Sequence, residues 1–338
     1  MIANAIREVV AGHDLSPSDV EAAMDAILDG EVSGSQIAAF VVALRMKGES
    51  ADEIAAAARA LRKHCETIRP EVDGPLLDTC GTGGDGLHTF NISTAAALVA
   101  AACGVAVAKH GNRAVSSKAG SADVLEALGV RIDLTPDRVR QCIEEVGIGF
   151  LFAPSHHAAM RHVAPVRREL GIRTLFNLLG PLSNPASATH QVVGVYDPGR
   201  VEQLAEALGA LGLTAAWVVH GAGGLDEVST SGPTTVAQLA DGEVTTFEIS
   251  PRDFGIAETP IEALRGGDAQ RNAEIIRGVL AGDPGPPRAA VVLNAAAALC
   301  VAGLASDRTA AAERAAEAID SGAAEQTLQR WAELTRVS

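Results

Sequence analysis

The alternation of strand-like and helix-like segments after Pro70 restricts the fold more than any other feature. Short apolar runs such as "GPLLDT" and "VAVAK" alternate with helical segments such as "NISTAAALVAAACG". Strands that alternate with helices form a mostly parallel sheet with helices on both faces. Near the end of this pattern, "TTVAQLADGEVTTFEI" predicts a hairpin that turns at Asp241 and Gly242. We therefore predict an α/β domain for residues 70–338.

Residues 1–69 carry a different pattern, which predicts a small domain made only of helices. Three serines begin S-x-x-[DEQ] capping boxes, in which a serine oxygen and an acid or amide three residues later cap a helix. The boxes begin at Ser16, Ser33 and Ser50. Gly30 and Gly48 follow at positions typical of helix carboxyl ends.

The segment 155–185 interrupts the α/β alternation. The pattern "SHHAAMRHVAPVRRELG" predicts a helix, and "IRTLFNLLGPLSNP" is rich in loop-forming residues. We expect part of this segment to join the amino-terminal helices and make the small domain discontinuous.

Composition narrows the class of protein. A chain of 338 residues that is 47% hydrophobic is long enough for about two domains. A formal net charge of −15 argues against a general nucleic-acid binder. The five cysteines form no C-x-x-C pair, as expected for a reduced cytoplasmic protein. We expect neither a signal peptide nor a membrane span, since the longest apolar run is shorter than about 20 residues.

The stretch "LLDTCGTGGDG" contains the pattern G-x-G-x-x-G at Gly81, Gly83 and Gly86. This pattern is typical of dinucleotide binding, but that interpretation needs an acid at the end of the next strand. Here that strand is expected to end in Lys109 and His110, so the NAD interpretation fails. No G-x-x-x-x-G-K-[ST] motif is present either. The loop then predicts either a site for another phosphate or an ordinary glycine-rich turn.

The next predicted strand end is rich in cations. "KHGNRAVSSKAGSAD" contains Lys109, Arg113 and Lys118, and no acid lies between Cys103 and Ala122. In an acidic protein this indicates an enclosed anion site, although a solvated loop is the alternative. At the start of the preceding helix, Asn91, Ser93 and Thr94 are predicted to present free amides to phosphate. Two adjacent anion sites indicate one highly phosphorylated ligand.

Adjacent carboxylates follow a later strand in "VVHGAGGLDEVS". Asp226 and Glu227 beside a polyphosphate would bind Mg²⁺, which prefers carboxylate and phosphate oxygens. Ser93 can add a hydroxyl oxygen, and an acidic turn in solvent is the alternative.

Four arginines and one acid, Glu169, lie in and just after the helix predicted within 155–185. An arginine fork matches a carboxylate, but spacing does not choose between Arg167 and Arg168, which point about 100° apart. The remaining two are Arg161 and Arg173. We expect His157 and His162 to be core or surface residues.

Together these blocks resemble the anthranilate phosphoribosyltransferase family over nearly the whole chain. The resemblance is carried by "DTCGTGGDGLHTFNIST", "KHGNRAVSSKAGSADVLEALG", "RRELGIRTLFNLLGPLSNP" and "HGAGGLDEVS". It implies transfer of phosphoribose from phosphoribosyl pyrophosphate (PRPP) to the amine of anthranilate in tryptophan biosynthesis. It also implies Mg²⁺, a cytoplasmic homodimer, and a helical domain hinged to an α/β domain. The chain departs from the family at His156 and Ala158, near the expected aromatic pocket.

The resemblance also implies roles for particular residues. The PRPP site would comprise Gly81, Gly84, Asp85, Thr89, Asn91, Ile92, Ser93, Thr94, Lys109, His110, Gly111, Asn112, Arg113, Ala114, Val115, Ser116, Ser117 and Ser121. Gly81, Asn112 and Arg167 would hold anthranilate. Ser93, Asp226 and Glu227 would bind Mg²⁺. The resemblance implies no general base.

Three alternatives remain open at this stage. A pyrimidine-nucleoside phosphorylase shares the architecture but would use inorganic phosphate and need no metal pair. A related phosphoribosyltransferase would accept another aromatic amine. A PRPP-binding regulator would bind the ligand without catalysis.

Overall fold

The amino-terminal part of the molecule is helical, as predicted. The structure is a computed structural model that describes residues 2–114 and 118–336. Its first elements are α1 (Ile2–Val10), α2 (Pro17–Leu28), α3 (Gly34–Lys47) and α4 (Ala51–Lys63).

The predicted capping serines begin these helices. Reciprocal side-chain and amide hydrogen bonds join Ser33 to Gln36 at α3 and Ser50 to Glu53 at α4. At α2, Ser16 accepts from the amide of Asp19, but the Asp19 carboxylate accepts from the Ser16 hydroxyl instead of its amide. The box at Ser16 is therefore only half formed. Gly30 and Gly48 have φ of 77° and 88°, which glycine adopts without steric cost.

The rest of the chain alternates between strands and helices. In order, its elements are β1 (Leu76–Asp78), α5 (Ile92–Ala102), β2 (Ala106–Gly111), α6 (Ser121–Leu128), α7 (Pro136–Val146), β3 (Ile148–Phe152), α8 (Ala153–His156), α9 (Ala164–Leu170), α10 (Leu175–Leu182), β4 (His190–Gly194), α11 (Val201–Ala210), β5 (Ala215–Gly221), β6 (Thr234–Ala240), β7 (Glu243–Ile249), α12 (Ala269–Leu280), α13 (Pro286–Val301), α14 (Arg308–Asp320) and α15 (Ala323–Arg336).

One sheet of seven strands organises the described residues, in the order β3-β2-β1-β4-β5-β6-β7. The first five strands in that order run parallel, and β6 and β7 form the predicted antiparallel hairpin. Asp241 and Gly242 turn with φ of 52° and 81°, the left-handed geometry of a two-residue hairpin. The predicted α/β fold class is therefore confirmed.

The two faces of the sheet bury two different cores, because successive strand residues point to opposite faces. Val192, Trp217 and Val219 face a core that includes α5 and α13. Val193, Ala216 and Val218 face a second core that includes α1 to α4, α10 and α11. The first core uses buried alanines along α5 and α13, which allow these helices to pack closely. No helix in the described ranges is long and apolar enough to cross a membrane.

The segment between β3 and β4 differs from its prediction. The single helix expected here is broken into α8, a 3₁₀ turn at Ala158–His162, and α9. Pro165 explains the break, since proline has no amide to continue a helix and restricts the residue before it. The following stretch, expected to be irregular, contains α10. Helices α9 and α10 contact α3 and α4.

The parallel strands place their carboxyl ends at one edge of the sheet. Asp78, Gly111, Gly194 and Gly221 are the last residues of β1, β2, β4 and β5. Ligands of open α/β sheets bind at such an edge. The predicted site residues after these strands therefore lie in the position where a ligand would bind.

Candidate active site

The glycine loop after β1, residues 81–86, presents unused backbone amides. Gly83, Gly84 and Gly86 have φ between 66° and 89°, where other residues are strained. The amides of residues 83–86 donate to no acceptor in the part of the chain that the structure describes. Consecutive free amides in such a loop form a concave site for an anion. The loop therefore has the chemistry expected of a phosphate site.

The loop is held against β4 and the residues after β5. The amide of Thr82 donates to the carbonyl of Gly194 at 2.9 Å. A Cβ atom on Gly81 would lie 3.0 Å from that carbonyl, and one on Gly194 would lie 1.6 Å from the carbonyl of Asp226. Glycine is required at position 194 because three strand ends meet there without room for a side chain.

Asp226 and Glu227 follow β5 and lie half-buried in the cleft beside this loop. Burial, followed by repulsion from Asp85 and Glu227, raises the pKa of Asp226 well above its usual range. Burial also raises the pKa of Glu227 to about 7, although Lys109 and Ser93 oppose the shift. Oδ2 of Asp85 has no hydrogen-bond partner among the described residues. Three neighbouring carboxyl groups without enough donors favour binding of a cation.

The backbone amides at the amino terminus of α5 donate to acceptors within the protein, whereas the sequence predicted that they would be free. The amide of Ser93, expected to be free for phosphate, donates to Oε1 of Glu227 at 3.1 Å. The amides of Ile92 and Thr94 donate to the carbonyls of Phe90 and Asn91. The helix terminus thus stabilises the Glu227 carboxylate, which is favoured at the positive end of the helix dipole. Ser93 is placed beside Glu227, as a shared metal site would require.

The other predicted residues near α5 are anchored by local contacts. Ile92 and Thr94 are buried, and Oγ1 of Thr94 has no partner within the described chain. Oδ1 of Asn91 accepts from Nδ2 of Asn272 at 2.9 Å. Thr89 forms an isolated antiparallel bridge with Arg265. Ile92 can therefore contribute only through its backbone, whereas Asn91 has a fixed side chain.

Lys109 and His110 lie inside β2, which continues to Gly111, and not at its end as expected. The Lys109 ammonium is buried and donates to the carbonyl and hydroxyl of Thr79 at 3.1 and 3.2 Å. Its charge opposes the burial that raises the pKa of both Asp78 and Glu227. The residue that follows the strand is Asn112, so an acid for NAD is still missing.

The second predicted wall is partly described. A Cβ atom on Gly111 would lie 2.2 Å from Oγ of Ser121, which donates to the carbonyl of Asn112 at 3.3 Å. The Asn112 side chain is exposed and accepts from the amide of Arg113. The predicted residues Val115, Ser116 and Ser117 lie outside the described residues.

Arg113 does not act as a free cation in this wall. Its guanidinium donates to Asp123 at 2.9 Å and to Glu126 at 2.5 and 2.9 Å. These acids lie just beyond the acid-free window of the sequence, and they neutralise the positive charge. The Asp123 carboxylate also accepts from the amide of Ala114. The side chain of Arg113 is therefore part of a structural network.

Burial distinguishes the two adjacent arginines of α9. Arg167 is half-buried, whereas Arg168 is exposed. Burial lowers the pKa of Arg167, and no ion pair with an acid in the described ranges opposes this effect. Within those ranges no hydrogen bond joins Arg167 to Gly81 or Asn112, so only a ligand would connect the three. A half-buried guanidinium without a carboxylate is suited to bind one.

Two buried histidines, the predicted site residue His110 and the expected core or surface residue His157, lie against each other. The rings of His110 and His157 lie 5.2 Å apart between β2 and the 153–182 segment. Nδ1 of His110 donates to the carbonyl of Gly180 at 3.0 Å, but its Nε2 has no partner among the described residues. Neither ring nitrogen of His157 meets a hydrogen-bond partner there, although the backbone of Ser183 lies nearby. Burial lowers the pKa values to about 3 and about 4, so both rings are neutral near pH 7. Sequence spacing gives no signal for this pair, because burial alone distinguishes it from surface histidines.

Asp78, Cys80 and His110 form the one group of three or more histidine, cysteine or acidic ligand atoms within 4.8 Å of one another in the described chain. The Asp78 carboxylate already accepts from Nδ2 of Asn184 at 2.7 Å and from the amide of His110 at 3.1 Å. Burial raises the pKa of the Cys80 thiol above its usual range. The buried ammonium of Lys109 adds a positive charge nearby. This group is therefore a poor metal site, and its Asp78 carboxylate belongs to a structural hydrogen-bond network.

Comparisons with known proteins show the family of the chain. Residues 3–65 match the helical bundle domain of a glycosyl transferase family, and residues 73–325 match its a/b domain. The anthranilate phosphoribosyltransferase of Symbiobacterium thermophilum is 55% identical over 331 residues, which cover 98% of this chain and 96% of that protein.

Solved structures give the same result. The anthranilate phosphoribosyltransferase of Thermus thermophilus is 47% identical with a TM-score of 0.94, over 98% of this chain and 99% of that one. The Saccharomyces cerevisiae enzyme in complex with PRPP and Mg is 29% identical with a TM-score of 0.91, over 99% and 97% of the two chains. The chain belongs to the anthranilate phosphoribosyltransferase family.

Proposed function

We propose that this chain transfers the 5-phosphoribosyl group of PRPP to the amine of anthranilate and releases pyrophosphate, a step of tryptophan biosynthesis. The observation that carries this proposal is a set of groups on the described residues that suit the ligands. These groups are the free amides of residues 83–86 and the acids Asp226 and Glu227 at the edge of the sheet, and the half-buried Arg167, which has no acid partner among the described residues. They match the pyrophosphate, its metal and the carboxylate of the acceptor.

PRPP would bind along the glycine loop and the second wall. The loop amides would donate to the pyrophosphate oxygens, which carry the negative charge that grows as the bond to C1 breaks. Asn91 and Ser121 would add polar side chains at fixed positions. Ile92 and Arg113 would contribute through their backbone, because their side chains are committed elsewhere.

Magnesium fits the acids after β5. Asp226 and Glu227 supply hard oxygen ligands, and the hydroxyl of Ser93 lies beside Glu227. Burial and the neighbouring acids raise the pKa of Asp226, and one oxygen of Asp85 has no partner among the described residues, so a cation would relieve this concentration of carboxyl groups. When bound, Mg²⁺ would neutralise charge on the departing pyrophosphate. Two carboxylates suffice because Mg²⁺ keeps waters and takes substrate oxygens as further ligands.

Anthranilate would bind through its carboxylate to the fork of Arg167, with Gly81 and Asn112 nearby. Its aromatic amine is neutral at pH 7 and already nucleophilic, so the site needs to position it more than to deprotonate it.

A direct assay tests this function. Purified protein with PRPP and Mg²⁺ is expected to consume anthranilate, measured as loss of its fluorescence, and to release pyrophosphate in equal amount. Unchanged fluorescence would reject anthranilate as the acceptor. Pyrophosphate release with another aromatic amine would then support the related transferase, and phosphorolysis of a pyrimidine nucleoside would support the phosphorylase.

We also propose the organisation of the protein in the cell. Contacts of α9 and α10 with α3 and α4 support a helical domain of residues 1–69 joined by part of 155–185.

The exposed Val10 and Met46, at 72% and 82%, lie on helices of this domain and support a homodimer. The five free cysteines support a reduced cytoplasmic location. Light scattering of the wild type and of Met46→Glu tests the dimer, which the charge should weaken.

A further inference from the structure

Arg173 is a cation near the site that the proposed chemistry leaves without a role. It lies between α9 and α10, six residues after Arg167, and is half-buried. It forms no ion pair with an acid in the described part of the chain. A half-buried arginine without a carboxylate partner is costly, so its actual contacts are informative.

Two contacts fix the guanidinium of Arg173. Its Nη2 donates to the carbonyl of Gly84 in the glycine loop. Its planar face lies over the ring of Tyr196, with Cζ 3.6 Å from the ring centroid. Tyr196 comes two residues after Gly194, the residue that holds the other end of the loop through Thr82. Arg173 therefore connects the loop to the residues after β4.

The contact with Gly84 determines which way a loop amide points. A peptide group is planar and trans, so its carbonyl and the following amide point in opposite directions. When the Gly84 carbonyl accepts from Arg173, the amide of Asp85 must point away from Arg173. That amide donates to no acceptor among the described residues. Gly84 has φ of 89°, and without a partner its peptide would rotate easily and could present the carbonyl to phosphate.

We propose that Arg173 is a positioning residue that holds the glycine loop with its amides toward the pyrophosphate of PRPP. It acts through the Gly84 carbonyl and is itself aligned by Tyr196. This inference rests on the proposed function, since it assumes that the loop binds PRPP.

The test compares Arg173→Ala and Arg173→Lys with the wild type. We expect the KM for PRPP to rise about tenfold or more in Arg173→Ala, since a charged hydrogen bond is lost. The KM for anthranilate and the melting temperature should change little. Arg173→Lys should recover only part of the effect, because an ammonium cannot stack and donate as a planar fork does. Arg168→Ala, an exposed arginine of the same segment, is the matched control.

Tyr196 provides a second, independent measurement. Tyr196→Ala should raise the KM for PRPP in the same direction, whereas Tyr196→Phe keeps the ring and should restore the wild-type value. Normal turnover together with an unchanged KM for PRPP in Arg173→Ala would overturn the positioning role alone. Calorimetric titration with PRPP and Mg²⁺ separates the two proposals. Weaker binding to Arg173→Ala supports the role even if anthranilate is not the acceptor, and no binding to the wild type would overturn both.

Discussion

Two groups of carboxyls lie at the same edge of the sheet, and their surroundings differ. Asp78, at the end of β1, accepts from Asn184, from the amide of His110 and from Gln191. Burial raises its pKa to about 6, against the opposing charge of Lys109. Burial also raises the pKa of Asp226 and of Glu227. Near Asp226, however, the charged groups are two further acids, Asp85 and Glu227, which raise its pKa more.

This difference in hydrogen bonding distinguishes a structural carboxyl group from carboxyl groups that can bind a ligand. A buried charge that is fully hydrogen-bonded stabilises the fold around it, whereas one without donors remains available for a ligand. The same distinction applies to two arginines, since Arg113 is paired with two acids and Arg167 with none in the described chain. Whether a charged group has partners within the protein indicates its role better than its residue type does.

The largest expected effect concerns Asp226 and Glu227. Asp226→Asn together with Glu227→Gln should lower kcat/KM by about a thousandfold, because the charge that would hold Mg²⁺ is removed at constant shape. The melting temperature should stay equal or rise, since unfavourable buried charge is lost. Steady-state kinetics measure kcat/KM, and thermal unfolding measures the melting temperature.

A matched control uses two exposed acids of the β6–β7 hairpin. Asp241→Asn with Glu243→Gln makes the same change of net charge and should leave kcat/KM unaltered. Wild-type, Mg²⁺-dependent turnover in the Asp226 and Glu227 variant would show that these acids are not the metal ligands.

The next effect concerns stability. Asp78→Ala should lower the free energy of unfolding by roughly 3 kcal/mol, because several buried donors lose their acceptor. Denaturant unfolding measures this loss. Asp137→Ala, at a carboxylate that is 92% exposed, should change it by no more than about 0.5 kcal/mol. Equal stability of the two variants would contradict the structural role of Asp78.

Arg167 should affect binding of one substrate only. Arg167→Ala should raise the KM for anthranilate about a hundredfold, because the half-buried carboxylate of anthranilate would lose the guanidinium that binds it. The KM for PRPP should remain close to that of the wild type. Arg168→Ala should match the wild type in both values. A larger effect at Arg168 would reverse the assignment of the carboxylate site.

The smallest effect is a pH dependence at His157. Its folded-state pKa of about 4 lies below the value near 6.5 expected when unfolded, so the unfolded chain binds the proton first as pH falls. The wild type should therefore lose about 2 kcal/mol relative to His157→Gln between pH 7 and pH 5. Denaturant unfolding at both pH values measures the difference. A difference that does not change with pH would show that His157 is not held neutral.

Much of the fold follows from local signals in the sequence. Capping serines, the strand–helix alternation and the Asp241–Gly242 turn act over a few residues, and each is present in the structure. The break between α8 and α9 was missed because the apolar pattern continues through Pro165. That pattern does not show where a chain must turn to pack against α3.

Less of the candidate site than of the fold could be predicted from the sequence. Residue types and strand ends indicate the glycine loop and the acid pair. The pairing of Arg113 with Asp123 and Glu126, the choice between Arg167 and Arg168, and the capture of the Ser93 amide by Glu227 depend on tertiary contacts. Such contacts decide which polar groups remain free, and a linear pattern does not contain them.

The most direct test of the contrast between the two carboxyl groups is crystallographic. Crystals soaked with PRPP and Mn²⁺, in place of Mg²⁺, would locate the metal by its anomalous signal. We expect a peak in contact with Asp226, Glu227 and the pyrophosphate of PRPP, and no peak at Asp78. A peak among Asp78, Cys80 and His110, or bound PRPP without metal beside Asp226 and Glu227, would contradict it.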